Sequence, residues 1–179
     1  MALSKIGGNQ IDSAASLTVS GNLSADGGTI KLDGNYPTGT NNVALGDAAL
    51  GGGSLSGGSN VAIGTSALDA NTSGTTNIAI GVNALGANTT ASDNVAVGHS
   101  ALKVNTTGTY NTAVGYEALD ANTTANNNTA VGYGTLTSNT TGSGNNAFGY
   151  SALFSNTTGS NNTTVGANAL DNNTEGSNN

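Results

Sequence analysis

From residue 42 onward, apolar and polar positions recur in one fixed order. An asparagine opens each unit, then an apolar-rich triplet such as Val95-Ala96-Val97 or Ile78-Ala79-Ile80, then a glycine. An Ala-Leu pair and an Asn-Thr-Thr-Gly stretch complete it. The asparagines stand at 42, 60, 77, 94, 111, 128, 145 and 162, and the glycines at Gly46, Gly64, Gly81, Gly98, Gly115, Gly132, Gly149 and Gly166. A leucine follows each glycine by four residues, from Leu50 to Leu170. The first interval is 18 residues and every later one is 17, so eight tandem copies fill residues 42–177. Self-similarity at a short fixed period marks a solenoid or an array.

Seventeen residues are too few for two helices and a loop, but they suit two short strands and two turns. The residue before each glycine is always apolar: Leu45, Ile63, Ile80, Val97, Val114, Val131, Phe148 and Val165. This column is expected to face the interior. The column two residues earlier runs from Val43, Val61, Ile78 and Val95 to Thr112, Thr129, Asn146 and Thr163, which places it nearer a rim. The Ala-Leu pair is expected to form a second strand. The glycine supplies a corner with positive φ or close backbone approach. Asn-Thr-Thr-Gly supplies the opposite turn, since asparagine and glycine tolerate left-handed backbone. Residues recurring once per coil stack at about 4.8 Å into ladders, so eight coils form a rod roughly 40 Å long. The expected fold is all-β, a parallel β-roll or β-solenoid of eight 17-residue coils occupying residues 41–179. Its interior is thin, which points to several chains about a common axis, and a trimer is expected.

Residues 1–40 have a different texture. Ser16-Leu-Thr-Val-Ser20 alternates apolar and polar residues, and Gly28-Thr-Ile-Lys-Leu32 follows a turn signal at Asp26-Gly-Gly28. This is a small β-rich segment, read as an attachment piece or, alternatively, a cap over the open end of the solenoid. No apolar run of signal-peptide or membrane-spanning length is present in the sequence. Asn179 stands where a ninth repeat would open (162 + 17 = 179), so further sequence is expected beyond it.

Charge and composition narrow the function. The formal net charge is −7 with three lysines and no arginine, which lacks the basic footprint of a nucleic-acid binder. With no cysteine, disulfides and thiol chemistry are excluded. The only histidine, His99, has no second histidine or cysteine to share a metal and no nucleophile to pair with; it reads as a surface residue. Asp69, Asp120 and Asp171 share a column but are three coils apart, about 15 Å, too far to act as a pair. No catalytic, metal-binding or cofactor-binding residue is assigned, and no enzyme is expected. One column could carry recognition: Tyr116, Tyr133 and Tyr150 occupy the same position in consecutive coils. They form either a surface recognition ladder for sugars or partners, or a self-stacking column that stiffens the rod. Ice binding by the threonine pairs is disfavoured, because neighbouring strand residues point to opposite faces.

Asn94-Val-Ala-Val-Gly98 and Asn77-Ile-Ala-Ile-Gly81 resemble the head repeats of trimeric autotransporter adhesins, and the resemblance extends over residues 42–177. In that family each repeat is one coil of a left-handed parallel β-roll and three rolls pack together. The present unit is longer by its Asn-Thr-Thr-Gly insert, and the sequence shows no export signal, coiled-coil stalk or anchor. Ser16-Leu-Thr-Val-Ser-Gly-Asn-Leu23 and Ile30-Lys-Leu-Asp-Gly-Asn-Tyr-Pro37, with repeats of the type Asn111-Thr-Ala-Val-Gly-Tyr116, resemble bacteriophage fibre proteins. That resemblance implies a homotrimeric virion fibre of tail or capsid, assembled in the host cytoplasm. It would join other virion proteins through residues 1–40 and aid adhesion to a host-surface glycan or protein. The alternative is the head fragment of a cell-surface adhesin. Neither implies a cofactor, nucleic acid or membrane insertion.

Overall fold

The computed structural model describes residues 41–52 and 56–179; the expectations for residues 1–40 lie outside the described residues. The described chain is an all-β parallel solenoid. Eight three-residue strands follow one another: β1 (Val43–Leu45), β2 (Val61–Ile63), β3 (Ile78–Ile80), β4 (Val95–Val97), β5 (Thr112–Val114), β6 (Thr129–Val131), β7 (Asn146–Phe148) and β8 (Thr163–Val165). They form one sheet in chain order, every neighbour parallel and every register set by the repeat, as in Val95↔Thr112 and Val97↔Val114. Seven steps of about 4.8 Å span roughly 34 Å.

Three residues per coil are sheet, yet the coils are bonded to each other around most of their circumference. Gly115 N–H donates to Val97 O at 2.8 Å, Glu117 N–H to His99 O at 3.0 Å, Leu102 N–H to Ala118 O at 3.0 Å and Thr106 N–H to Thr123 O at 2.9 Å. The backbone therefore finds partners where no strand is formed, as a buried backbone must.

The Ala-Leu pair is not the expected second strand. It lies in two successive tight turns, the first closed by Ala118 N–H on Gly115 O, the second by Asn122 N–H on Leu119 O. The leucines carry positive φ, from 50° at Leu85 to 55° at Leu153. This left-handed bend costs an L-residue about 1–2 kcal/mol, and it aims a large side chain straight into the coil. Leu50, Leu68, Leu85, Leu102, Leu119, Leu136 and Leu153 are completely buried, each contributing about 1.5–3 kcal/mol. The corner glycines have φ between 128° and 140°, as expected of that column. The Asn-Thr-Thr-Gly stretch differs from the expectation: neither its asparagine nor its glycine is left-handed. The positive φ comes two residues after that last position, at Thr76, Tyr110 and Asn161 after a glycine and at Asp93 and Asn127 after Ala91 and Ala125.

The interior is built differently from the expectation as well. The column Leu45, Ile63, Ile80, Val97, Val114, Val131, Phe148 and Val165 does not face the core. Leu45, Ile80, Phe148 and Val165 are exposed, and the other four are only half-buried. The central alanines Ala62, Ala79, Ala96, Ala113, Ala130 and Ala147 are fully buried instead. Period-two alternation puts the middle residue of each triplet opposite its neighbours. With the leucine already filling the lumen, only a methyl group fits beside it, so the larger residues turn outward.

Two asparagine ladders complete the interior. In one, Asn128 N–H donates to Asn111 Oδ1 at 3.0 Å, while Asn111 Nδ2 donates to Ala125 O at 2.8 Å. In the other, Asn122 Nδ2 donates to Asn105 Oδ1 at 2.9 Å and to Ala125 O at 3.2 Å. Both ladders converge on one carbonyl per coil, using its two lone pairs. Asn60 through Asn162 in the first column and Asn71 through Asn156 in the second are buried with these needs met.

Candidate interaction surface

Three columns line the outside of the sheet and its corner. The first is Val43, Val61, Ile78, Val95, Thr112, Thr129, Asn146 and Thr163. The second is the apolar column that ends at Val165. The third follows the corner glycine: Asp47, Thr65, Val82, His99, Tyr116, Tyr133, Tyr150 and Ala167. Together they carry most of the exposed large apolar groups: Leu45, Ile78, Ile80, Val82, Tyr116, Tyr133, Phe148, Tyr150 and Val165. A glycine column separates the second and third. A Cβ on Gly115 would lie 2.2 Å from Gly132 O, directed at the next coil.

The tyrosines expected to form a ladder do so. Tyr116 and Tyr133 are stacked with ring centroids 5.0 Å apart and planes 7° from parallel; Tyr133 and Tyr150 follow at 5.4 Å and 10°. His99 extends the stack at 5.1 Å and 9°, so the histidine read as an isolated surface residue is its fourth ring. Each such contact adds about 0.5–1.5 kcal/mol beyond area burial. Because the inner faces cover one another, what the ladder presents outward is ring edge and hydroxyl. The Tyr116 phenol is held above its ordinary pKa by a hydrogen bond to Glu117 and by that carboxylate's charge.

No family model, curated protein or solved structure matches this chain.

Charged chemistry is sparse and concentrated around β4 and β5. Burial raises the Asp120 carboxyl above the ordinary range, with Lys103 pulling the other way, and Asp120 Oδ1 is buried without a hydrogen-bond partner. A cavity of about 270 Å³ opens where Gly86 interrupts a column between Asp69 and Lys103; Ser66, Asn83 and Val104 also line it. Among the described residues no three His, Cys, Asp or Glu side chains cluster to hold a metal. No helix there is long and apolar enough to cross a membrane. The threonine pairs are split by role. Thr106 Oγ1 donates to Thr123 O at 3.1 Å and Thr140 Oγ1 to Thr157 O at 3.0 Å, while the second residue of each pair, such as Thr107 or Thr141, is exposed.

Period and residue size marked the outward columns as special but assigned the second one the wrong side. The signal for the right side was present: alanine in the middle of seven of the eight triplets is what a narrow lumen demands. The left-handed leucines had no such signal, because leucine has no intrinsic preference for that backbone.

Proposed function

We propose that this chain is the shaft of a homotrimeric virion fibre, of tail or capsid, which works as a rigid spacer rather than as a catalyst. The observation that carries the reading is the set of outward apolar columns on an uninterrupted, in-register solenoid. A monomeric soluble protein seldom leaves a contiguous apolar strip running the length of its body, and in-register repeated coils suit a load-bearing element. The resemblance of the repeats and of Ser16–Leu23 to fibre proteins supports the virion setting. In this reading residues 1–40 bind other virion proteins. The fibre is assembled in the host cytoplasm, and adhesion to a host-surface glycan or protein is a secondary role of its exposed hydroxyls and ring edges. The Asn-x-Ala-[Val/Ile]-Gly core keeps one second reading open, the head of a trimeric cell-surface adhesin.

Light scattering on a size-exclusion column tests the assembly. The expected mass is about three times 17.2 kDa, with elongated elution; a mass of one chain overturns the trimeric shaft. Antibody against the chain should then decorate purified virions. Decoration of bacterial cells in the absence of phage decides for the adhesin.

A further inference from the structure

The apolar strip does not keep to the same columns along the rod. In the coils of β1 and β2 it consists of the first and second outward columns: Val43, Leu45, Val61 and Ile63, with polar Asp47 and Thr65 in the third. In the coils of β5 to β7 the first column has become Thr112, Thr129 and Asn146. The strip there consists of the second and third columns: Val114, Val131 and Phe148 beside Tyr116, Tyr133 and Tyr150. The coil of β3 holds both arrangements, since Ile78, Ile80 and Val82 are all apolar; in the coil of β4, Val95 and Val97 are apolar and His99 stands third, stacked on Tyr116. The strip therefore moves around the body by two residue positions as it descends.

We propose that the occupant of this strip is a second copy of the chain, and that the contact between copies crosses from the first column to the tyrosine column between β2 and β7. This rests on the assembled reading above and adds to it which residues make the contact. Three observations favour a second copy. The strip is ridged at the coil spacing, about 4.8 Å, and another copy offers matching ridges along its whole length. Outside Asp47, the three columns contain no Asp, Glu or Lys. Chains of net charge −7 can therefore approach there, whereas Asp69, Asp93, Glu117 and Asp120 lie in other columns. The strip measures roughly 35 Å by 10–15 Å, several hundred Å². An exposed apolar patch of that size is often an interaction site. An oblique apolar stripe imposes winding on coiled coils, and it directs each copy here across its neighbour in the same way.

The chain has no cysteine, so single cysteines report accessibility cleanly. Val61→Cys and Thr65→Cys probe the first and third columns in the β2 coil; Asn146→Cys and Tyr150→Cys probe the same two columns in the β7 coil. In one chain all four positions are half-buried or exposed. Maleimide labelling of the full-length assembly, with its mass checked for each variant, should be several-fold slower at positions 61 and 150 than at 65 and 146. Protection that pairs 61 with 146, or 65 with 150, in an assembly of normal mass overturns the crossing and leaves the assembly standing. A single-chain mass for the unsubstituted protein overturns both. Lysine gives an independent measurement: Val61→Lys should lower the assembled mass, and Asn146→Lys should leave it unchanged. The reverse result overturns the crossing.

Discussion

A Cβ at Gly115 would sit 2.2 Å from Gly132 O, and φ there is 140°. Both facts oppose any side chain, because the clash is with backbone and the conformation is one L-residues rarely adopt. Gly108 has what looks like the same problem, its Cβ falling 2.3 Å from Ala125 O. Yet Ala91 and Ala125 occupy that column in neighbouring coils and are nearly fully buried, so the backbone there shifts to admit a methyl. The two glycines should therefore respond differently to one substitution. Gly108→Ala is expected to change stability by less than about 1 kcal/mol, and Gly115→Ala to cost upward of about 3 kcal/mol. Chemical denaturation of both variants measures this; equal losses would refute the assigned roles. The same residue scale explains the asparagines. Each buried amide of the first ladder, such as Asn111, serves two or three partners, so its removal strands the Asn128 N–H and the Ala125 carbonyl bond together, at about 1–3 kcal/mol for each group left unpaired.

The element that concentrates charge is the pair of coils carrying β4 and β5. Asp120 there is held above the ordinary carboxylate range chiefly by burial, against the opposing pull of Lys103 and with Glu117 adding to the rise. A carboxyl raised on folding favours the protonated form in the native state. Its contribution is fully present below the unfolded pKa and is lost as pH rises through the folded one. Asp120→Asn should thus raise the melting temperature at pH 7, and the gain should shrink toward zero as pH falls to about 3. A melting series from pH 3 to 8 checks the sign; a gain that grows on acidification would contradict it. None of this was legible in the sequence, where Asp120 is one of three aspartates in a column. What the sequence did carry at this scale was the repeat itself: the coil, the parallel register and the stacking of like residues such as the tyrosines. It misassigned what depends on the volume of the lumen. Whether Ala113 or Val114 turns inward depends on how much room Leu119 leaves, and Leu119 fills that room only because it takes φ of 54°. Local preference argues against that backbone, and packing overrides it.

For the whole molecule, stability is a sum over neighbouring coils rather than a property of one core. The coils from β3 to β6 lie between neighbours, with alanine, leucine and both asparagine ladders sealed. The coil of β8 is different. Its side of the ladder is more open, with Val165 75% exposed and Leu170 42% exposed. Thr164 replaces the core alanine there and buries a hydroxyl without a partner. Opening that coil gives up a poorer interior than opening the coil of β5, where Ala113, Leu119 and the asparagines Asn111 and Asn122 are sealed. Amide exchange should follow the same order, because protection reports the free energy of the smallest opening that frees each N–H. Gly166 N–H, bonded to Phe148 O at 2.8 Å, should exchange well before Gly115 N–H, bonded to Val97 O at the same distance. Identical bond lengths make the comparison a test of cooperativity rather than of local geometry. Uniform protection from β3 to β8 would mean that the coils open together, as a single cooperative body. Graded protection would place the rod among quasi-one-dimensional structures, in which one weak coil leaves the others intact.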